Sequence, residues 1–450
     1  MADSIEDTIR LQLEEMLAGR VVWLERHARW RPAWNAEVLV DGVLKRVNVR
    51  AEKGAKYRGP LSLAQEAGVH HVLARYGVRA PHVYGMMDSP TAIVMELLPG
   101  QINLATARDE AARAAIREQY ISAIAAMHAI PLHEFAALGL DVPADAVDVA
   151  LNLYRPCERI YREGMAREPF AIMEFIGAWL RRNVLDRGAE KCFISADAGQ
   201  FLFEGDRLTG LIDFEVGYIG DPLAEFAGLR LRDTVEPLGD ISALLDRYEQ
   251  VTGRVWDKRT VEYHTAGFAA VTGWLMWPLV FNPDIDDHFV AYLDFCVGTT
   301  RWSIRAIAES LGVSLPDIAA PERAAITFPS GPAHLVNTIG RLEAGDAHAA
   351  YERSKAESLA RYLDRCNLYG RSIQAANLHD ASTLLGERCT DPGQTEKSLC
   401  DFVLRAGPER DAAIAGYCHA WIMRQDFLLQ DTGFSDGLTG RDLQVIKARS

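Results

Sequence analysis

The hydrophobic pattern changes period at Gly100, and that change limits the fold more than any other feature of the chain. Before it, Glu37 to Val40, Asp41-Gly42 and Val43 to Arg50 predict a β-hairpin, because Asp-Gly supplies the positive φ that a type I′ turn needs. In its second strand Val47 and Val49 share one face, Asn48 and Arg50 the other. Helical spacing runs through residues 4–18 (Ile9, Leu13, Met16 and Leu17, ended by Gly19) and 62–76 (Val69, Val72, Leu73, Tyr76). A strand pair, His82 to Met86 and Ala92 to Leu98, closes the segment at Pro99-Gly100. Beyond it the stripes are helical: Ile116, Tyr120, Ile124 and Met127, then Ile172, Ile176, Trp179 and Leu180, and on to about residue 312. Only two short strands interrupt them, 201–203 and 208–216. The pattern is that of an α+β chain, with a small β-rich lobe at 1–100 and a larger, mostly helical lobe at 101–318. A linker around Pro316 and Ala320 to Pro332 leads to an all-helical region, 333–450, with loops near 391–394 and 432–440. At 450 residues the chain exceeds what one core absorbs, so two or three units are expected.

Composition narrows the partners. A net charge of −14 disfavours broad polyanion binding but allows a local phosphate pocket. Arg26, Arg29, Trp30, Arg31 and Trp34 imitate a nucleic-acid patch, yet a strand with cation–π packing suits so acidic a chain better. Seven cysteines, the nearest pair eleven apart, make neither a disulfide scaffold nor a CxxC site, and their odd number suits a reducing cytoplasm. The acidic opening Met1 to Asp7 is unlike a secretory signal. Thr265 to Phe281 carries no charge but is short for a membrane span and contains Pro278, so it reads as a buried helix.

The stretch Lys191 to Asp233 carries the chemistry. Asp197 in a loop precedes a short strand, a turn and an apolar strand that delivers Asp213 at its end. Two carboxylates on neighbouring strand–loop junctions can hold a cation and accept a proton, the needs of metal-assisted group transfer.

Ile212-Asp213-Phe214-Glu215 and Gly220-Asp221-Pro222 resemble the catalytic segment of the aminoglycoside/choline phosphotransferases, which have a two-lobed, protein-kinase-like fold. The resemblance implies Asp213 as a magnesium ligand and Gln200, thirteen residues before it, in place of the family's metal-binding Asn. It implies Asp197 as catalytic base, Arg50 toward the nucleotide phosphates, Glu66 behind it, and Met95, Glu96, Leu97 and Leu98 as the hinge bordering adenine. The His-Gly-Asp triplet of the family is here Ser195-Ala196-Asp197, and Asp197 lies three residues before Gln200 rather than five. An ungapped count puts Ser195 at the base position; a shortened loop with Asp197 as base is the reading taken. Neither a glycine-rich loop before the hairpin nor a GxxxxGK[ST] loop exists.

Simpler roles stand beside these. Asp221-Pro222 is a good helix start, Glu225 would support that corner, and Glu66 could be a surface glutamate unless Arg50 pairs with it. His128 could cap or pack, and Asp284, Asp286 and Asp287 could form a solvated loop. The expected activity is ATP- and Mg²⁺-dependent transfer of the γ-phosphate to a hydroxyl of a small molecule, which the acidic composition would suit to an amine-bearing one. The alternatives are a nucleotide-binding pseudokinase and an interaction protein working through residues 333–450. No nucleic acid or membrane partner is expected; a homo-oligomer through the C-terminal helices stays open.

Overall fold

In the computed structural model, which describes residues 5–27, 29, 31–53, 56–165, 169–185, 188, 190–325, 330–434 and 437–447, the amphipathic stripe of the first residues forms helix α1 (Ile5–Leu17), with Ile9, Leu13 and Leu17 buried. Trp30 lies outside the described residues. Strands β1 (Arg20–Arg26), β2 (Ala33–Val40) and β3 (Val43–Ala51) follow, the last two joined by Asp41 and Gly42 at φ of 50° and 80°, as the turn chemistry requires. Helix α2 (Leu63–Arg75) opens on a capping box between Ser62 and Gln65. Strands β4 (Val83–Asp88) and β5 (Thr91–Glu96) complete an antiparallel sheet of order β1-β2-β3-β5-β4. Strand parity divides the sheet's two faces. Val47, Val49 and Val94 pack with α1 residues, while Ile93 and Met95 pack with Leu63 and Ala67 of α2. Arg26 lies over the Trp34 ring at 5.6 Å, the cation–π packing expected here, but Arg29 and Arg31 fall in the β1–β2 connection rather than in a strand.

Asp109 caps α3 (Glu110–His128), which precedes the short helices α4 (Leu132–Ala136) and α5 (Ala146–Leu151). After α6 (Tyr154–Gly164) and α7 (Ala171–Arg182), which belong to a second compact unit, the chain returns in β6 (Cys192–Ile194), β7 (Phe201–Glu204), β8 (Arg207–Leu211) and β9 (Tyr218–Gly220). β7 pairs with β8 and β6 with β9. β6 and β9 escaped the sequence reading because three residues hold too little alternation to register. The strand expected to reach Val216 ends at Leu211, since Asp213 takes φ 66° and Gly217 N–H closes a turn on Phe214 O at 2.9 Å. Asp221-Pro222 forms a turn, with Leu223 N–H on Asp221 Oδ1 at 2.8 Å, one step before α8 (Ala224–Arg232) rather than its first turn. Helix α9 (Ile241–Thr252) follows. The first unit comprises residues 1–153, 187–257 and 444–450. Its last segment is tied in by Gln444, which accepts from Ile241 N–H at 2.8 Å and donates to Asp233 at 3.2 Å.

The second unit, residues 154–186 and 258–443, is helical. The uncharged stretch lies in α10 (Lys258–Phe281), which is almost wholly buried and packs along α11 (Phe289–Leu311). Among the described residues no helix is long and apolar enough to cross a membrane. Helix α12 (Ser330–Gly340) begins inside the expected linker, because Pro332 suits a first helical turn. Then come α13 (Ala347–Leu385), α14 (Pro392–Arg405) and α15 (Asp411–Leu429). The loop expected at 391–394 is instead the start of α14, capped by Asp391, while the region is otherwise helical to Leu429 and irregular beyond it, where the loop near 432–440 was expected. α14 packs on α7, and α15 on α11 and α13, so these C-terminal helices share one core with α7, α10 and α11. Phe170, Trp277 and Trp421 meet there, with ring centroids 5.0–6.4 Å apart. Asp284 and Asp286 are exposed, and Asp284 N–H closes their loop on Asp287 at 2.8 Å.

Candidate active site

β6 ends at the loop Ser195 to Gln200, and β8 ends just before Asp213; Ile212 N–H donates to Gln200 O at 3.1 Å, which sets the two segments side by side. One amide joins the two expected carboxylates. Gln200 Nε2 donates to Asp197 Oδ2 at 2.6 Å and to Asp213 Oδ2 at 3.2 Å. Ala196 stands at φ 65°, where the family's triplet has glycine, and the alanine costs about 1–2 kcal/mol there. α8 allows this loop to close, for a Cβ on Gly228 would lie 1.9 Å from Ala196 O. Ser195 is buried and points away from Asp197's partners: its N–H donates to Glu225 Oε2 at 2.9 Å and its hydroxyl to Glu225 Oε1. Glu225 lies 3.6 Å from His128 Nε2, while His128 Nδ1 is 2.7 Å from Tyr248 OH. Glu225 therefore supports the loop rather than only its own corner, and His128 is a buried packing residue, not a cap.

Parity points Arg50 to the α2 side of the sheet, and there it pairs with Glu66, which is 1% exposed and so not a surface residue. Arg50 also reaches Asp213, and Glu215 at 3.1 Å. Glu215 collects two further cations, Arg31 at 2.5 Å and Lys53 at 2.6 Å, and Arg31 Nε donates to Ala51 O at 2.9 Å. The last two residues anchor the β1–β2 connection and the end of β3 to the strand end bearing Asp213. His70, one turn after Glu66, meets Phe214 edge-on at 5.1 Å.

These neighbours set the charges. Burial pushes the Asp213 carboxyl up, but Arg50, Arg31, Lys53 and Arg29 together hold it well below the usual carboxylate range. Burial raises the Asp197 carboxyl; Arg232 opposes this and Asp213 adds to it, and the group stays above its ordinary value. The two acids are thus driven apart, one fixed as an anion and one readier to take a proton. Burial pushes the Lys53 ammonium down to about 8 against the pull of Glu215, and His70 down to about 4 with help from Arg50.

The structure gathers Arg50, Glu66, Asp197, Gln200 and Asp213 into one cluster. The hinge run is placed at the end of β5, where Glu96 N–H bonds His82 O at 2.7 Å and Leu97 N–H bonds Arg46 O at 3.0 Å. Among the described residues the Leu98 amide has no such partner. Sequence reasoning missed Arg31, Lys53 and Arg232. Arg232 Nη2 donates to Asp197 Oδ1 at 2.7 Å. The available signal was a pair of basic residues, Arg230 and Arg232, in the last turn of α8.

The model of one family, described as a phosphotransferase enzyme family, matches residues 35–261, just over half of the chain, including all five residues of that cluster. The chain belongs to that family. This phosphotransferase matches no curated protein. Among solved structures, a protein of Ralstonia eutropha JMP134 assigned as an aminoglycoside phosphotransferase is 15% identical, with a TM-score of 0.50 over 68% of this chain and 98% of that one. A macrolide 2′-phosphotransferase of Brachybacterium faecium is 18% identical, with a TM-score of 0.42 over 61% and 94%. An aminoglycoside phosphotransferase in complex with ADP and hygromycin B is 13% identical, with a TM-score of 0.43 over 65% and 98%. The fold is the two-lobed, kinase-like one expected from the sequence, with added C-terminal helices, and by its family the chain is a phosphotransferase.

Proposed function

We propose that this phosphotransferase takes the γ-phosphoryl group of ATP, with Mg²⁺, and passes it to a hydroxyl of a small molecule. The observation that carries the reading is the single Gln200 amide bonded to both Asp197 and Asp213, beside the Arg50–Glu66 pair. Asp197 takes the proton of the acceptor hydroxyl, whose oxygen bonds the γ-phosphorus as the bond to the β,γ-bridging oxygen breaks and ADP leaves. Arg50 faces the phosphates with Glu66 behind it, and the Met95 to Leu98 run borders adenine.

Asp213 and Gln200 would hold Mg²⁺, which supplies charge neutralisation to the phosphates. Among the described residues no three His, Cys, Asp or Glu side chains form a ready metal cage. A carboxylate and an amide oxygen nevertheless fit an ion that keeps water and substrate phosphates in its shell. Gln200 turns its Nε2 to the two carboxylates; turning the amide over would present Oε1 to the ion and free Asp197 Oδ2 for the acceptor.

A screen of phosphate transfer to alcohols, amino alcohols and sugars tests the reading, with Asp213→Ala as blank. Turnover that persists in the variant would remove Asp213 from the mechanism. The ion pair of Arg50 with Asp213, in the place a cation would take, favours a second reading, a nucleotide-binding pseudokinase. Calorimetry with ATP separates the two: tight, metal-independent binding without transfer selects the pseudokinase.

A further inference from the structure

The geometry points to an acceptor that carries a negative charge close to its reacting hydroxyl, received by Arg232. This deepens the proposed reaction and rests on Asp197 being its base. The two oxygens of Asp197 face different neighbours. Oδ2 takes the Gln200 amide, on the side of Asp213, while Oδ1 takes Arg232 Nη2 at 2.7 Å. An acceptor hydroxyl must reach the same carboxylate, whose side chain is 32% exposed, so it arrives beside the guanidinium.

Arg232 is under-used where it stands. A guanidinium has five N–H donors. Glu236 is 3.9 Å away, too far for a hydrogen bond, and among the described residues the buried Nε has no partner. A buried donor without an acceptor is costly, so the protein's own acceptors do not fully satisfy this guanidinium. Burial pushes the Glu236 carboxyl above its ordinary value, and Arg232 opposes that rise.

A neutral alcohol leaves the Arg232–Asp197 pair intact, and an ammonium meets a like charge.

Four acceptors sharing a short hydroxylated chain isolate the charge: D-glycerate, glycerol 3-phosphate, glycerol and 3-amino-1,2-propanediol, each assayed with saturating Mg·ATP. The two anions are expected to show kcat/KM on the order of 30-fold above glycerol, with the amine lowest. Comparing the first two tells carboxylate from phosphate. Arg232→Lys should keep most of the preference. Arg232→Gln, checked for an unchanged melt, should level it by raising KM for the anions. Equal or better use of glycerol or the amine, or a preference that survives in Arg232→Gln, overturns the inference. If none of the four is phosphorylated, calorimetric titration of the two anions into protein holding Mg·AMP-PNP decides. Binding lost in Arg232→Gln supports the inference; no binding, or binding unchanged in the variant, overturns it. Asp213-dependent ATP turnover with only neutral or amine acceptors would sink this inference and leave the proposed reaction standing, whereas no such turnover with any acceptor removes the reaction itself.

Discussion

At the scale of single residues, the site works by separating two carboxylates that are chemically alike. Asp213 is surrounded by cations and stays ionised; Asp197, half-buried with one arginine beside it, takes a proton more readily than an ordinary carboxyl. Asp197→Asn should cost on the order of 10²–10⁴ in kcat, the range for losing a general base. Because the base must be deprotonated, kcat in the wild type should fall as pH drops through the raised Asp197 pKa, above the ordinary carboxylate range, and that acid limb should vanish from the residual activity of Asp197→Asn. Asp213 acts on stability with the opposite sign. Its folded pKa lies below its unfolded one, so its contribution is fully present above about pH 4 and is lost as pH falls toward the folded value. Melting temperature followed from pH 5 downward should drop less steeply in Asp213→Asn than in the wild type.

At the scale of elements, α8 carries more of the site than its apolar sequence suggests. It supplies Glu225 to the Ser195 backbone, Arg232 to Asp197, and in Gly228 the empty space that the Ala196 carbonyl occupies. A methyl group at Gly228 meets backbone rather than a yielding side chain. Gly228→Ala should therefore destabilise the fold by about 1–3 kcal/mol, the range for overpacking, and reduce kcat by moving the Asp197 loop. Urea midpoints and steady-state rates on the same preparation check both effects. A variant with wild-type stability would show that α8 can slide away from the loop at no cost. Much of this scale was legible beforehand: the hairpin, the α2 stripe and the strand delivering Asp213 all follow from local period and turn chemistry. β6 and β9 were not, because a three-residue strand is defined by its partner.

At the scale of the whole molecule, the C-terminal helices complete a core rather than decorate one. Trp277 of α10 is 2% exposed and stacks among Phe170, Phe281 and Trp421, the last contributed by α15. Arg301 of α11 pairs with Asp426 of α15 and donates to Leu438 O at 3.0 Å. A chain ending at Pro332 would uncover these aromatic rings and leave a buried arginine without its carboxylate. Such truncation should give a protein that binds a hydrophobic dye and loses near-ultraviolet dichroism, because the lost burial of several large aromatic side chains is worth about 3–5 kcal/mol each. A truncated chain with native dichroism and sharp melting would make the extension an independent module.

The sequence by itself determined the β-to-helix order, the face on which Arg50 lies, and the spacing that marks Asp197, Gln200 and Asp213, since all of these are local: strand parity, helical period and distance along a loop. Only the tertiary structure decided which charges meet. Arg50 and Asp213 are 163 residues apart, and Arg31 and Glu215 are 184 apart. No period along the chain encodes such a pairing; it exists because the fold brings the sheet, α2 and the segment after β8 together and leaves those side chains largely out of water. Arg232 was hidden for the same reason, one of several charged residues of α8 until the fold sets it against the carboxylate of Asp197.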